Sequence, residues 1–249
     1  MLPIGDDNSD RTITPFVNYL LLAANVLVFV LFQGLGANER FTYAFSTVPL
    51  EIVTGQDVDT PVEIKDPVTG EVAGTVDLQP TPIPVYLTLL TSMFMHGGFA
   101  HLFGNLLYLW IFGDNLEDSL GHLRYLLFYL LCGVIAGLAH VFATVAFGGN
   151  PLLPALGASG AISGVLAGYL LLHPKRRVRV IVFRTIQEVP SIWAIGLWFV
   201  FQLVSGIGML GSKSQAGGVA YAAHIGGFVA GFLLVKLFAA GARPRYQFQ

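Results

Sequence analysis

Six long apolar runs, separated by short polar breaks, constrain this chain more than any other feature of its sequence. A helix that crosses a bilayer needs roughly 20 mostly apolar residues, because the hydrocarbon layer is about 30 Å thick and each helical residue rises about 1.5 Å. The runs cover residues 15–35, 99–112, 125–147, 157–173, 192–210 and 219–240, the second and fourth being short. Charged residues make up only 11% of the 249 positions, against about 25% in a soluble domain. The expected fold is therefore an all-α polytopic membrane protein, a bundle of six transmembrane helices. Asp6, Asp7 and Asp10 precede the first run, with Arg11 and no small-residue cleavage pattern, so that run reads as a retained helix and not as a signal peptide.

Charge then orients the bundle. Lys175, Arg176, Arg177, Arg179 and Arg184 lie between the fourth and fifth runs, Arg243 and Arg245 follow the sixth, and Arg124 sits between the second and third. Basic residues favour the cytoplasmic side, and with six spans all three groups fall on that side together. The expected plan is a cytoplasmic tail at 1–14, a membrane domain at 15–240 and a cytoplasmic tail at 241–249. The loop 36–82 lies on the outer side, with eight acidic residues against Arg40 and Lys65. Its stretch 58–77 reads as a polar insertion with a hairpin turn near Asp66, Pro67 and Gly70, and is assigned no chemistry.

Ionisable residues inside a membrane are costly and ask for a reason. His96, His101, His140 and His224 qualify, while no Asp or Glu lies well inside a run; Asp114, Glu117 and Asp118 sit at the inner end of the second. The fourth run carries Ser159 followed by Gly160, Gly164 and Gly168, a stripe of small residues that a neighbouring backbone can approach closely. In the sixth, His224, Gly227 and Gly231 share one helical face. If the two glycine faces meet, Ser159 comes within hydrogen-bond reach of His224. A serine hydroxyl is a weak nucleophile until an adjacent imidazole takes its proton, so the pair forms an acyl-transfer site. With no intramembrane carboxylate it is a dyad and not a Ser-His-Asp triad.

Such a site also needs donors for an oxyanion. His101 and Asn105 lie four apart on one face of the second run, and the backbone N–H of Ser159, at a helix start, is a further donor. Lys175 is sixteen residues after Ser159, which places the serine about 24 Å from the inner charges and so below the outer boundary of a layer about 30 Å thick. The apolar, irregular stretch 148–158 before it must then have its backbone buried by protein. His96, at the start of the second run, is a candidate cavity residue. His122 and His173, at inner ends, take an ordinary solvated role, and Ser163 a packing or backbone hydrogen-bonding one.

Ser159 in Gly-Ala-Ser-Gly, Ala223-His224 with Gly227 and Gly231, and His101-x-x-x-Asn105 together resemble the rhomboid family of intramembrane serine proteases. The resemblance extends from about Val85 to Ala240. It includes Phe94-Met95-His96-Gly97-Gly98 before the second run and Phe112-Gly113-Asp114-Asn115-Leu116-Glu117-Asp118 after it. It implies Ser159 as nucleophile, His224 as base and later acid, and His101 with Asn105 as oxyanion donors. It also implies a six-helix bundle and single-span membrane proteins as substrates. Some members carry an aromatic residue four positions after the nucleophile, where this chain has Ser163.

The composition and spacing argue against other classes. No basic-aromatic surface pattern suggests nucleic acid, no H-E-x-x-H or comparable spacing suggests a metal, and no cofactor is called for. A transporter or channel would be expected to carry intramembrane carboxylates or broken helices. A relative that binds transmembrane helices without cutting them is opposed by the presence of serine, histidine and both oxyanion donors. The expected location is the lipid bilayer of a bacterial inner membrane, with the site open to the outer face; oligomeric state is left open.

Overall fold

The computed structural model describes residues 2–65, 69, 71–210 and 221–240. Nine helices carry most of them: α1 (Phe16–Leu27, extended by a π-turn over Val28–Phe32), α2 (Glu39–Ala44), α3 (Pro49–Thr54), α4 (Thr88–Thr91), α5 (Phe99–Leu120), α6 (His122–Ala146), α7 (Ser159–Leu172), α8 (Ser191–Leu210) and α9 (Tyr221–Ala239). Each of the six apolar runs becomes a helix; Val219 and Ala220 at the start of the last lie outside the described residues. By length and hydropathy alone, α6 and α9 qualify as membrane-crossing helices among the described residues.

The helix α7 occupies the centre, packed against α5, α6 and α9. It is apolar on every side, as a helix must be when no face meets water. Residues 160–169 are all buried, and Leu166, Val165 and Tyr169 pack with Phe112, Leu116, Phe128 and Tyr125 in one continuous core. The surrounding helices turn large apolar side chains outward instead: Phe103, Trp110, Phe142, Trp193, Phe201, Val204 and Leu233 are all exposed. An apolar rim of this extent is unusual for a chain dissolved in water and natural for one dissolved in lipid.

The all-α expectation needs correction. Strands β1 (Leu2–Asp6), β4 (Arg177–Val182) and β5 (Thr185–Pro190) form an antiparallel sheet in the order β1-β4-β5, and β2 (Pro61–Lys65) pairs with β3 (Val72–Asp77) in a separate hairpin. Arg177-Val178-Arg179-Val180 alternates polar and apolar residues, the period of a half-buried strand, before the apolar Ile181 and Val182, and its Val178 and Val180 are wholly buried in the main core. Read as a basic loop, that alternation is masked by its arginines. Residues 2–6, read as part of a tail, form the strand paired with β4. The hairpin expected within 58–77 is present, though Asp66, Pro67 and Gly70 of its turn lie outside the described residues.

The second run also continues past Phe112. Asp114, Asn115, Glu117, Asp118 and Ser119 are buried on the last turns of α5, where they hold the chain that precedes α1. Glu117 accepts hydrogen bonds from Val17 N (3.0 Å) and Asn18 N (2.7 Å), which satisfies amides that the start of α1 leaves unpaired. Asp118 Oδ1 accepts from Thr12 N, Thr12 Oγ1 and Ile13 N, each at 2.9 Å. Arg124 donates to the Ala240 carbonyl at 3.0 Å, just past the end of α9. His173 is not solvated: it is buried, with Nε2 2.9 Å from Ser119 Oγ.

Candidate active site

Ser159 is the first residue of α7 and His224 lies in the first turn of α9. What brings them together is the absence of side chains between their helices. A Cβ at Gly227 would overlap the Gly160 carbonyl, and one at Gly231 would overlap the Gly164 carbonyl. The register advances together, 160 with 227 and 164 with 231, so the helices run parallel in backbone contact and start at the same end of the bundle. The stripe of Gly160, Gly164 and Gly168 itself faces chiefly α6, where a Cβ would meet Ala136, Cys132 and, at Gly168, Phe128 together with Leu116 of α5.

At the shared end, His224 Nε2 lies 2.7 Å from Ser159 Oγ, across 65 residues of sequence. The other ring nitrogen, Nδ1, lies 2.8 Å from Oε1 of Gln202 on α8. Gln202 is buried at 6% exposure, and the sequence reading passed over it. Trp198 and Tyr221 flank the imidazole with ring centroids 6.1 Å and 6.4 Å away. Ser163, as expected, turns back on its own helix and donates to the Ser159 carbonyl at 2.7 Å.

His101 and Asn105 reach the same place from α5. Gly157, two residues before Ser159, has φ +119°, and a Cβ there would stand 2.8 Å from His101 Nε2 and 3.7 Å from Asn105 Nδ2. Both side chains therefore press on the turn that leads into Ser159. His101 Nδ1 accepts a hydrogen bond from Gly97 N at 3.3 Å, so in the neutral ring the proton resides on Nε2, which faces Gly157 as a donor. Asn105 Nδ2 is buried with no partner. His96 is 1% exposed, packs edge-on to His101 at 5.2 Å between centroids, and has neither ring nitrogen paired. A second amide unnoticed in the sequence, Gln33 at the end of the first run, accepts from His96 N at 2.9 Å and donates to His96 O at 3.0 Å.

The irregular stretch before Ser159 is paired rather than bare. Thr47 and Ala155 exchange backbone hydrogen bonds of 3.0 and 2.8 Å, Leu50 N donates to Pro151 O at 2.9 Å, and Gly157 N donates to Ser92 O at 2.8 Å. Thr47 and Leu50, in the part of the loop 36–82 that precedes the insertion 58–77, thus pair the backbone that leads to the serine.

The Rhomboid domain matches residues 84–241, which contain every side chain of the site except Gln33. Rhomboid protein 1, mitochondrial, of Saccharomyces cerevisiae is 32% identical over 160 residues, 63% of this chain and 43% of that one. Rhomboid protease GluP of Bacillus subtilis is 37% identical over 145 residues, 58% of this chain and 24% of that one. RHOMBOID-like protein 4 of Arabidopsis thaliana is 33% identical, covering 64% of this chain and 35% of that protein. The matched part of the chain spans less than half the length of each of these relatives. A helical bundle with an apolar exterior, read with a domain match over most of its length, identifies the chain as a member of the rhomboid family of membrane proteins.

Proposed function

We propose that this chain is an intramembrane serine endopeptidase that hydrolyses peptide bonds in or near the transmembrane segments of other membrane proteins, with single-span proteins as its substrate class. The observation that carries the proposal is the 2.7 Å contact between His224 Nε2 and Ser159 Oγ, formed between two helices that glycines alone allow to meet. In this reading α1, α5, α6, α7, α8 and α9 are the six membrane spans within 15–240. The basic segment around Arg176 faces the cytoplasm and the Ser159 end opens to the outer side. The relatives come from a mitochondrion and a plant as well as from a bacterium, so the membrane is retained and the bacterial assignment is carried no further.

The chemistry follows from the donors and acceptors in place. Ser159 Oγ attacks the scissile carbonyl carbon while its proton passes to His224 Nε2. The negative charge that develops on the carbonyl oxygen is met by Asn105 Nδ2–H, His101 Nε2–H and the Ser159 amide at the start of α7. Collapse of this intermediate breaks the C–N bond, and His224 Nε2–H supplies the leaving amine with its proton. Water, deprotonated by the same nitrogen, then hydrolyses the acyl-serine and returns the proton to Oγ. The glycines 160, 164, 227 and 231 hold the two halves of the dyad in register.

A fluorophosphonate probe on the detergent-solubilised protein tests the assignment. Labelling lost in Ser159→Ala and kept in Ser163→Ala is the expected result; the opposite pattern overturns it. A folded, labelled protein that cleaves no member of a panel of single-span substrates would leave the dyad intact but refute endopeptidase activity, and a folded protein that binds them without labelling would make it a binding relative.

A further inference from the structure

The dyad has a third member that is neither acid nor base. A neutral imidazole carries one N–H, and which nitrogen bears it is decided by the partner of the other. To accept the proton of Ser159, His224 must leave Nε2 bare, which requires the proton on Nδ1. The atom facing Nδ1 is Gln202 Oε1 at 2.8 Å, a carbonyl oxygen that can only accept. We propose that Gln202 is the positioning residue of the dyad, holding His224 in the Nδ1–H tautomer with its bare Nε2 aimed at Ser159. The inference rests on the reading of Ser159 and His224 as nucleophile and base.

Three observations support it. A primary amide in the middle of an apolar helix is costly unless it is used, and Gln202 is buried while its neighbours in sequence are Trp198, Phe199, Phe201, Leu203 and Val204. The helix that carries it, α8, turns Trp193, Leu197, Val200, Phe201, Val204 and Ile207 outward, so Gln202 sits on the opposite, inward side. The flanking rings of Trp198 and Tyr221, 6.1 and 6.4 Å from the imidazole between centroids, can brace its plane but cannot select which nitrogen bears the proton, which leaves that to the hydrogen bond. The competing explanation is a polar contact that joins α8 to α9 and has no bearing on the proton.

The two differ in what they change. Ring ¹⁵N shifts of His224 in the unaltered protein at neutral pH should show Nδ1 protonated and Nε2 bare; the reverse tautomer would overturn the assignment without any mutation. Removing the acceptor with Gln202→Leu should lower kcat by roughly 10²–10⁴-fold, as loss of the orienting group does in serine enzymes, and leave KM within a few-fold. Gln202→Glu, which keeps an acceptor oxygen at the same reach, should recover at least a tenth of the original rate. A mere helix contact predicts instead that both variants alter the thermal midpoint while folded protein turns over normally, and that outcome sinks the proposal. Fluorophosphonate labelling of the same set separates the levels: Ser159→Ala that still labels refutes the dyad itself, whereas Ser159→Ala that is silent beside a Gln202→Leu that labels at the original rate refutes only the role of Gln202.

Discussion

The two ends of the bundle bury polar side chains in opposite ways. At the Arg176 end, the buried side chains of Asp6, Asp114, Asn115 and Tyr169 each have a partner. Tyr169 Oη donates to Asp6 Oδ2 at 2.6 Å, Asn115 Nδ2 donates to the same oxygen at 2.7 Å, Arg176 Nη1 donates to Asn115 Oδ1 at 2.6 Å, and Arg11 Nη1 meets Asp114 at 2.6 Å. At the Ser159 end, Asn105 Nδ2 and both ring nitrogens of His96 are buried with none. An unpaired buried donor costs about 1–3 kcal/mol, so a fold does not keep such groups for its own stability. The first end uses its polarity to hold the chain together; the second, on the proposed function, keeps donors for water or a reacting carbonyl.

That contrast can be broken most severely at the dyad. Ser159→Ala and His224→Ala should each lower turnover by about 10⁴-fold or more without lowering the thermal midpoint, measured by cleavage assay and scanning fluorimetry on the same preparation. Next comes a matched pair of amides on one helix. Asn105→Ala should cost about 10²–10³ in kcat and leave the fold as stable or more so, since it deletes an unpaired donor. Asn115→Ala should do the reverse, sparing the turnover of folded protein while lowering its midpoint. If Asn115→Ala proved the more damaging to kcat, the division between the ends would be wrong.

Smaller effects sharpen the boundary. Gly157→Ala places a methyl group against His101 at a φ of +119° that side chains rarely adopt; a displacement of the donor should slow turnover by about 10–100-fold, with about 1–3 kcal/mol of backbone strain. Glu117→Gln removes the charge that accepts from two amides of α1, and should cost about 1–3 kcal/mol, with each 1 kcal/mol lowering the midpoint by about 2–4 °C for a chain of this size. The subtlest test uses pH. Burial raises the Asp6 carboxyl from its ordinary value of 3.8 to about 7, against the lowering effects of Tyr169, Asn115 and Arg176 and with the help of nearby Asp114. Because the folded state favours the protonated acid, its contribution is complete below the unfolded value and is lost as pH rises through about 7. Asp6→Asn, a mimic of the protonated form, should therefore gain on the unaltered protein by a few degrees between about pH 5 and about pH 8.

Much of this organisation is legible in the sequence, and the exceptions have physical causes. The apolar runs announce their helices because a membrane span must be both long and uniform. The contacts 160 with 227 and 164 with 231 are legible because small residues at fixed spacing have few other uses in lipid. Gln202 is less legible because, unlike Asn105 beside His101, it has no ionisable or amide side chain at helical spacing, although the sequence Trp198-Phe199-Val200-Phe201-Gln202-Leu203 interrupts an apolar run as plainly as a histidine does. The β1–β4 pairing was missed for another reason. Alternation in 177–180 suggests a strand, but nothing local in either segment names its partner at the far end of the chain.

That pairing also orders events in time. Tyr169 and Asp6 meet across 163 residues, and closing a loop of that length in a flexible chain costs about 4–5 kcal/mol of entropy before any contact is gained. Helices such as α6 and α9 form from neighbours in sequence, so they can be in place long before residues 2–6 dock on β4. The sheet then acts as the final closure of assembly: until it forms, Asp6 lacks both Tyr169 and Asn115, and afterwards the first and last parts of the loop fold or open together. Hydrogen exchange should accordingly find the amides of β1 and β4 released as one unit, ahead of those in the centre of α7.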